Sequence, residues 1–302
     1  AKNNTKIYYS FEKVERKNNN RGKKQNLPVV VFLHGWVMNY TAWEKTRKFL
    51  KEKGFSTLTL DIRGHGKSFA KNMGFELAAE DLNRIIKKEK IKKHVVAGHS
   101  MGGMVAQKYY KKYKNNKYIN GLVFVNTSYV SPMKTIHFNN IRLLYYFIKK
   151  VIEKLVTNDN KYFINSLVEI FLHNKILFDV LKKHGFKAVK KNKFVDFSKM
   201  KDVRDVSVFY EGIHHTSLET AKSYYMDKSK LDMEKYLKNI DVPVLIITSE
   251  KDPVCPVSVG KKMHNEIKNS EIFVLEGADH LSILQKPEEI NNIIYNFLKR
   301  KV

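Results

Sequence analysis

Hydrophobic residues along this chain fall into two alternating rhythms. Between residues 6 and 15, Ile7, Tyr9, Phe11 and Val14 roughly alternate with polar positions and lead into a Lys/Asn/Gly run, which predicts an edge strand or hairpin arm ending in a loop. Pro28 then opens Val29–Leu33 (VVVFL), a continuous β-branched run of the kind covered on both faces in a parallel sheet. Runs of the same character recur at 56–60 (STLTL), 94–97 (HVVA), 122–125 (LVFV), 244–248 (VLIIT) and 272–275 (IFVL). Between them, 41–53, 75–90, 101–114, 257–267 and 287–298 carry helical spacing; in the last, Ile290, Ile293, Ile294 and Phe297 recur at i, i+3, i+4 and i+7. Strand alternating with helix predicts an α/β architecture, a mostly parallel central sheet flanked by helices, with ligand sites at the carboxyl ends of the strands.

The alternation stops between 129 and 240, where only helical patterns are found. One stripe runs through Ile141, Leu144, Tyr145, Ile148, Ile152 and Leu155, another through Phe163, Leu167, Ile170 and Phe171. A helical block between two strands of a regular repeat predicts an inserted cap or lid over a core made of 1–128 and 241–302. No internal repeat is visible.

Composition narrows the classes. With 302 residues, 43% hydrophobic, the chain is long and apolar enough for a full core. The lone cysteine, Cys255, forms no intrachain disulfide and is compatible with a reducing compartment. The amino terminus lacks the apolar core of a secretory signal, and the longest apolar stretch, 141–156, is broken by Lys149, Lys150, Glu153 and Lys154, so no transmembrane segment and a cytoplasmic location are expected. Lys plus Arg number 56 against 30 Asp plus Glu, a formal charge of +26. The lysines are spread along the whole chain and no nucleic-acid-binding motif accompanies them, so they read as a solvated basic surface with no specific nucleic-acid partner. Oligomeric state is not legible.

The sharpest chemical signal is Gly98-His99-Ser100-Met101-Gly102, which fits G-x-S-x-G directly after a strand and before an amphipathic helix. A serine on that tight turn has a strained backbone and an exposed oxygen, and Gly98 and Gly102 let the turn close. The following helix aims its N–H groups at the same spot, which makes the Met101 N–H a donor to charge developing on a substrate oxygen. At the end of the first buried strand, Leu33-His34-Gly35-Trp36 offers a second donor, the Trp36 N–H, with Gly35 permitting the close turn. Taken alone, each of these also fits an ordinary strand-to-helix turn. Two further strand ends carry Ser249-Glu250-Lys251-Asp252-Pro253 and Gly277-Ala278-Asp279-His280. A serine needs a base to take its proton, and an imidazole is held in the useful tautomer by a carboxylate on its other nitrogen. The chain order Ser100, Asp252, His280 is nucleophile, acid, base.

In motif order and context the chain resembles the α/β-hydrolase superfamily over nearly its whole length outside the cap. The resemblance implies an acyl-enzyme route with Ser100 attacking, His280 carrying the proton and Asp252 orienting it, with neither a metal nor an organic cofactor. It also makes 61–68 (DIRGHGKS) a structural loop, with Asp61 and His65 fixing the turn. In the family the acid can instead follow the strand 122–125, but Asn126-Thr127-Ser128 supplies no carboxylate; Glu250 and Asp279 fit the pattern less well than Asp252. A serine at 100 speaks against the branches of the family that use an aspartate nucleophile.

The expected substrate is a small-molecule carboxylic ester with a small or medium apolar acyl group, favoured over a charged one because Tyr145, Tyr146, Phe147, Phe163, Phe171, Phe178 and Phe209 lie in the cap and would sit above Trp36 and Met101. Most of these aromatics serve cap packing, and His214 and His215, lacking a third ligand at metal spacing, read as polar cap residues. Carbon–carbon bond hydrolysis or peracid formation with the same three residues, and a non-catalytic binding protein of the same fold, stay open as alternatives.

Overall fold

A computed structural model describes residues 5–15, 27–115, 117–131, 205, 208, 211–212 and 215–302 of the protein. The two cap stripes, the cap aromatics and His214 lie outside these residues. The strands are β1 (Tyr9–Glu12), β2 (Val29–Leu33), β3 (Thr57–Leu60), β4 (His94–His99), β5 (Ile119–Val125), β6 (Val244–Ser249) and β7 (Ser270–Leu275). They form one sheet in the order β1-β3-β2-β4-β5-β6-β7, with β1 antiparallel to β3 and every other pair parallel. β1 is the edge strand that its alternating pattern predicts.

The central strands read as uninterrupted apolar runs because both faces are covered. Along β2, Val29, Val31 and Leu33 point into one core and Val30 and Phe32 into the other, the period of two that a pleated strand imposes. The first core is closed by α2 (Phe75–Lys88), α3 (Met101–Tyr113) and α6 (Val257–Glu266), the second by α1 (Glu44–Glu52), which follows a 3-10 turn at Tyr40–Trp43, and by α8 (Pro287–Lys301). In α8, Pro287 begins the helix, Glu288 and Glu289 occupy its positive end, and Ile290, Ile294 and Phe297 are buried. β7 departs from expectation: its run IFVL resembles the others, yet Phe273 and Val274 are exposed. It is the far edge of the sheet, and helical cover does not reach all of it.

Among the described residues, α4 (Leu218–Ser229) and α5 (Glu234–Leu237) also precede β6, and a short helix, α7 (Ser282–Gln285), precedes α8. The chain leaves β5 and returns ahead of α5 at one place: Val130 bridges Asp232 antiparallel, the Met233 N–H donates to the Tyr129 carbonyl at 2.7 Å, and the Ser131 N–H donates to that of Leu231 at 2.8 Å. The segment that interrupts the repeat therefore starts and ends side by side.

Candidate active site

The β4–α3 turn is built around Ser100, whose φ of 51° lies in the left-handed region that a residue with a Cβ seldom occupies. Its N–H donates to the Val125 carbonyl at 2.9 Å, and its own carbonyl accepts from Thr127 Oγ1 at 2.6 Å, so β5 clamps the turn on both sides. Closure depends on the flanking glycines. A Cβ on Gly98 would stand 2.4 Å from the Gly102 carbonyl carbon, and one on Gly102 would stand 2.3 Å from the Leu33 carbonyl oxygen. These are backbone atoms that cannot swing aside, which is the physical content of the G-x-S-x-G spacing.

Asp252 and His280 come from the turns after β6 and β7 and meet Ser100 above the sheet. His280 Nδ1 lies 2.8 Å from Asp252 Oδ2, and His280 Nε2 lies 2.9 Å from Ser100 Oγ. An ionised carboxylate only accepts, so Nδ1 carries the proton and Nε2 presents its lone pair to the serine hydroxyl. The other Asp252 oxygen accepts from the N–H groups of Val254 at 2.8 Å and Cys255 at 2.9 Å, which fixes the carboxylate plane. Asp252, Cys255 and His280 are also the one cluster of metal-ligating type among the described residues. Both carboxylate oxygens are already engaged, and burial holds the Cys255 thiol well above its ordinary pKa, so the trio suits hydrogen bonding better than a cation.

The carboxylates weighed beside Asp252 have other occupations. Glu250 is exposed and accepts from the Gly277 N–H at 2.7 Å, while buried Asp279 accepts from the Leu281 N–H at 3.0 Å and from Gln285 Nε2 at 2.8 Å. Asp61 accepts from the N–H groups of Tyr40 at 2.7 Å and Lys67 at 2.8 Å, and the His65 ring nitrogen Nδ1 lies 3.3 Å from the Arg63 carbonyl, contacts that brace their loop. His215 is exposed, with Nδ1 2.8 Å from the Glu211 carbonyl.

Several neighbours of the site escape sequence reasoning. Asn126, at φ 46°, donates through Nδ2 to the carbonyls of Asp279 at 3.1 Å and His280 at 3.0 Å and to Ser282 Oγ at 2.9 Å. His99 Nε2 donates to the same His280 carbonyl at 2.8 Å. The base is thus gripped through its backbone by the ends of β4 and β5. The only hint in the sequence is that both residues sit at strand ends. Burial lowers His99 to about 3 and His34 to about 4, so both rings are uncharged beside the site. His34 Nε2 accepts from the Ile62 N–H at 2.9 Å, a structural bond.

Ser100, Trp36, Met101, Tyr224, Tyr225 and Lys228 line one cleft. Among the described residues no backbone acceptor takes the N–H of Trp36 or Met101, and a Cβ on Gly35 would stand 2.7 Å from His99 Nδ1. Tyr224, Tyr225 and Lys228 come from α4, inside the segment read from sequence as cap, and Lys228 Nζ stands 5.8 Å from the centre of a Trp36 ring. Helical periodicity does not reveal that this lysine reaches the cleft.

Residues 28–287 match the family model for the alpha/beta hydrolase fold. The chain belongs to that family. It is 26% identical over 281 residues, covering 91% of this chain and 93% of the relative, to a bifunctional esterase/perhydrolase of Acinetobacter calcoaceticus. A hydrolase superfamily protein of Bacillus subtilis (strain 168) is 24% identical over 275 residues, covering 89% of this chain and 90% of that protein. Among solved structures, a bromoperoxidase from Bacillus anthracis superposes with a TM-score of 0.72 at 22% identity, covering 98% of this chain and 96% of the other, a likeness of fold. The seven-stranded, mostly parallel sheet described above is thus the hydrolase fold, and no helix among the described residues is long and apolar enough to cross a membrane.

Proposed function

We propose that this hydrolase cleaves carboxylic esters through an acyl-enzyme on Ser100, under a lid formed by 129–240. The observation that carries the reading is the relay Asp252–His280–Ser100, at 2.8 and 2.9 Å, ending on a hydroxyl held at a strained turn. Ser100 Oγ attacks the ester carbonyl carbon as its proton passes to His280 Nε2. Asp252 stabilises the imidazolium, and the oxyanion is received by the N–H groups of Trp36 and Met101. Collapse breaks the bond to the alcohol, which leaves with the proton from His280. Water, deprotonated by the same nitrogen, then releases the acid and restores the serine. The side chains of Trp36 and Met101 suit a small or medium acyl chain. Support for the lid comes from the adjoining ends of the segment and from α4 at the cleft.

The test is hydrolysis of a short-chain p-nitrophenyl ester by the parent and by Ser100→Ala. The expected loss in kcat is about 10⁶-fold; equal activity in both would reject the reading. The esterase/perhydrolase relative favours a second chemistry on the same serine, attack of hydrogen peroxide on the acyl-enzyme to give a peracid. Peracid formation from an ester and hydrogen peroxide, lost in Ser100→Ala, would establish it.

A further inference from the structure

Lys228 stands in an unusual position for a lysine. It is half-buried, it lines the cleft that holds Ser100, and it is in no ion pair among the described residues. Its Nζ lies over the face of Trp36, 5.8 Å from the ring centre. Burial pulls its pKa below the ordinary lysine value, with the fields of Cys255 and Asp252 acting in the opposite direction. Most of the described lysines are exposed, and the half-buried ones Lys45, Lys108, Lys262 and Lys286 each pair with a carboxylate, whereas this one gives up part of its hydration with no such pair among the described residues.

Its placement is firmly determined. Ser217 caps the start of α4 by accepting from the Thr220 N–H at 3.1 Å. Tyr224, fully buried, packs against the rings of His65 and Phe75 at 5.2 and 5.8 Å and donates its hydroxyl to the Arg63 carbonyl at 3.2 Å. Asp227, directly before Lys228, accepts from the Phe75 N–H at 2.6 Å. Contacts on both sides of α4 therefore hold the lysine to the wall of the cleft. The same wall carries Trp36, whose N–H faces the developing oxyanion in the reading above.

We propose that Lys228 makes the cleft selective for esters bearing a second, ionised carboxylate, such as half-esters of short dicarboxylic acids. This rests on the ester-hydrolase reading and refines its substrate class: the chain between the two carbonyl groups stays short and apolar against Trp36 and Met101, and the far carboxylate pairs with the ammonium. The expectation of an uncharged ester, drawn from the aromatic content of the cap, could not include a cation whose place depends on how α4 packs.

The experiment compares kcat/KM for mono-4-nitrophenyl glutarate with that for 4-nitrophenyl pentanoate, its uncharged match in length, in the parent, Lys228→Met, Lys228→Arg and Lys222→Met. Because both esters are measured on the same preparation, the ratio is independent of the fraction that folds. The parent is expected to favour the glutarate about tenfold or more, a difference of ~1.4 kcal/mol. Lys228→Met should lose that preference, Lys228→Arg should keep most of it, and Lys222→Met, which removes an exposed charge from the same helix, should keep all of it. A ratio unchanged in Lys228→Met, or lowered equally in Lys222→Met, overturns the proposal and attributes any preference to the general charge of +26. Turnover of neither ester by the parent overturns the hydrolase reading, and this proposal with it.

Discussion

Two regions of the molecule combine an aspartate, a histidine and a serine at the carboxyl edge of the sheet, and they do different things with them. In the loop after β3, Asp61, His65 and Ser68 lie within eight residues, and the carboxylate and the hydroxyl are spent on backbone: Asp61 accepts from the Tyr40 and Lys67 N–H groups, and Ser68 Oγ donates to the Asp61 carbonyl at 2.7 Å and accepts from the Tyr8 N–H at 2.9 Å. His65 is fully buried and lowered to about 3, too weak a base to hold a proton at neutral pH. In the other region, Ser100, Asp252 and His280 come from three separate strand ends, and their polar atoms face one another. Residue type alone does not make a relay. What matters is which lone pairs and protons are left over once the backbone has been satisfied.

The largest effect that sharpens this contrast is expected in Asp252→Asn. An amide at 252 can donate to His280 Nδ1 and so stabilise the wrong tautomer, lowering kcat for a short-chain ester about 10⁴-fold with little change in melting temperature; a loss under tenfold would show that the carboxylate does not orient the ring. Next comes Asn126→Ala, which removes one donor from each of the carbonyls of Asp279 and His280, leaves the latter to His99 and loosens the base; kcat should fall about 10²-fold, more than KM changes. In the bracing loop, Asp61→Asn should leave kcat close to the parent value but cost about 1 kcal/mol in denaturant unfolding, since one of two partly buried N–H donors loses its acceptor. The reverse pattern in these variants would exchange the roles of the two regions.

A smaller effect, seen in stability, comes from the buried histidines. Burial lowers His34 and His94 to about 4 and His65 and His99 to about 3, against an ordinary 6.5. Above pH 6.5 neither folded nor unfolded chains protonate these rings, and no stability is lost. As pH falls below 6.5 the unfolded chain takes up protons that the folded one refuses, so stability declines by at most ~1.4 kcal/mol per pH unit for each ring until the folded values are reached. Burial raises Asp61 and Asp81, which oppose the trend as they protonate. Thermal melts between pH 7 and 5 should show a falling midpoint, with a shallower slope in His94→Gln; a flat profile would mean that the rings protonate in place.

Much of this was legible in the sequence, for reasons that can be traced. β2, β4 and β6 announce themselves because a strand covered on both faces has no polar position to interrupt it. Ser100, Asp252 and His280 could be grouped because a parallel sheet collects its strand ends at one edge, so residues 180 positions apart in sequence become neighbours. β7 misled because a run of Ile, Phe and Val does not tell an edge strand from a central one; that depends on whether another element arrives to cover it. Asn126 and His99 were missed because their function is to hold a backbone carbonyl, a task for which no spacing rule exists. Lys228 was invisible among so many surface lysines until α4 was seen to lean on Phe75 and Arg63.

The most direct measurement of the central claim is mapping of a fluorophosphonate label by peptide mass. A single phosphonyl group on the peptide containing Ser100, absent when Asp252→Asn is treated for the same time, is the predicted result. Labelling of Ser68 or another serine, or no labelling of a parent preparation that hydrolyses esters, would contradict it.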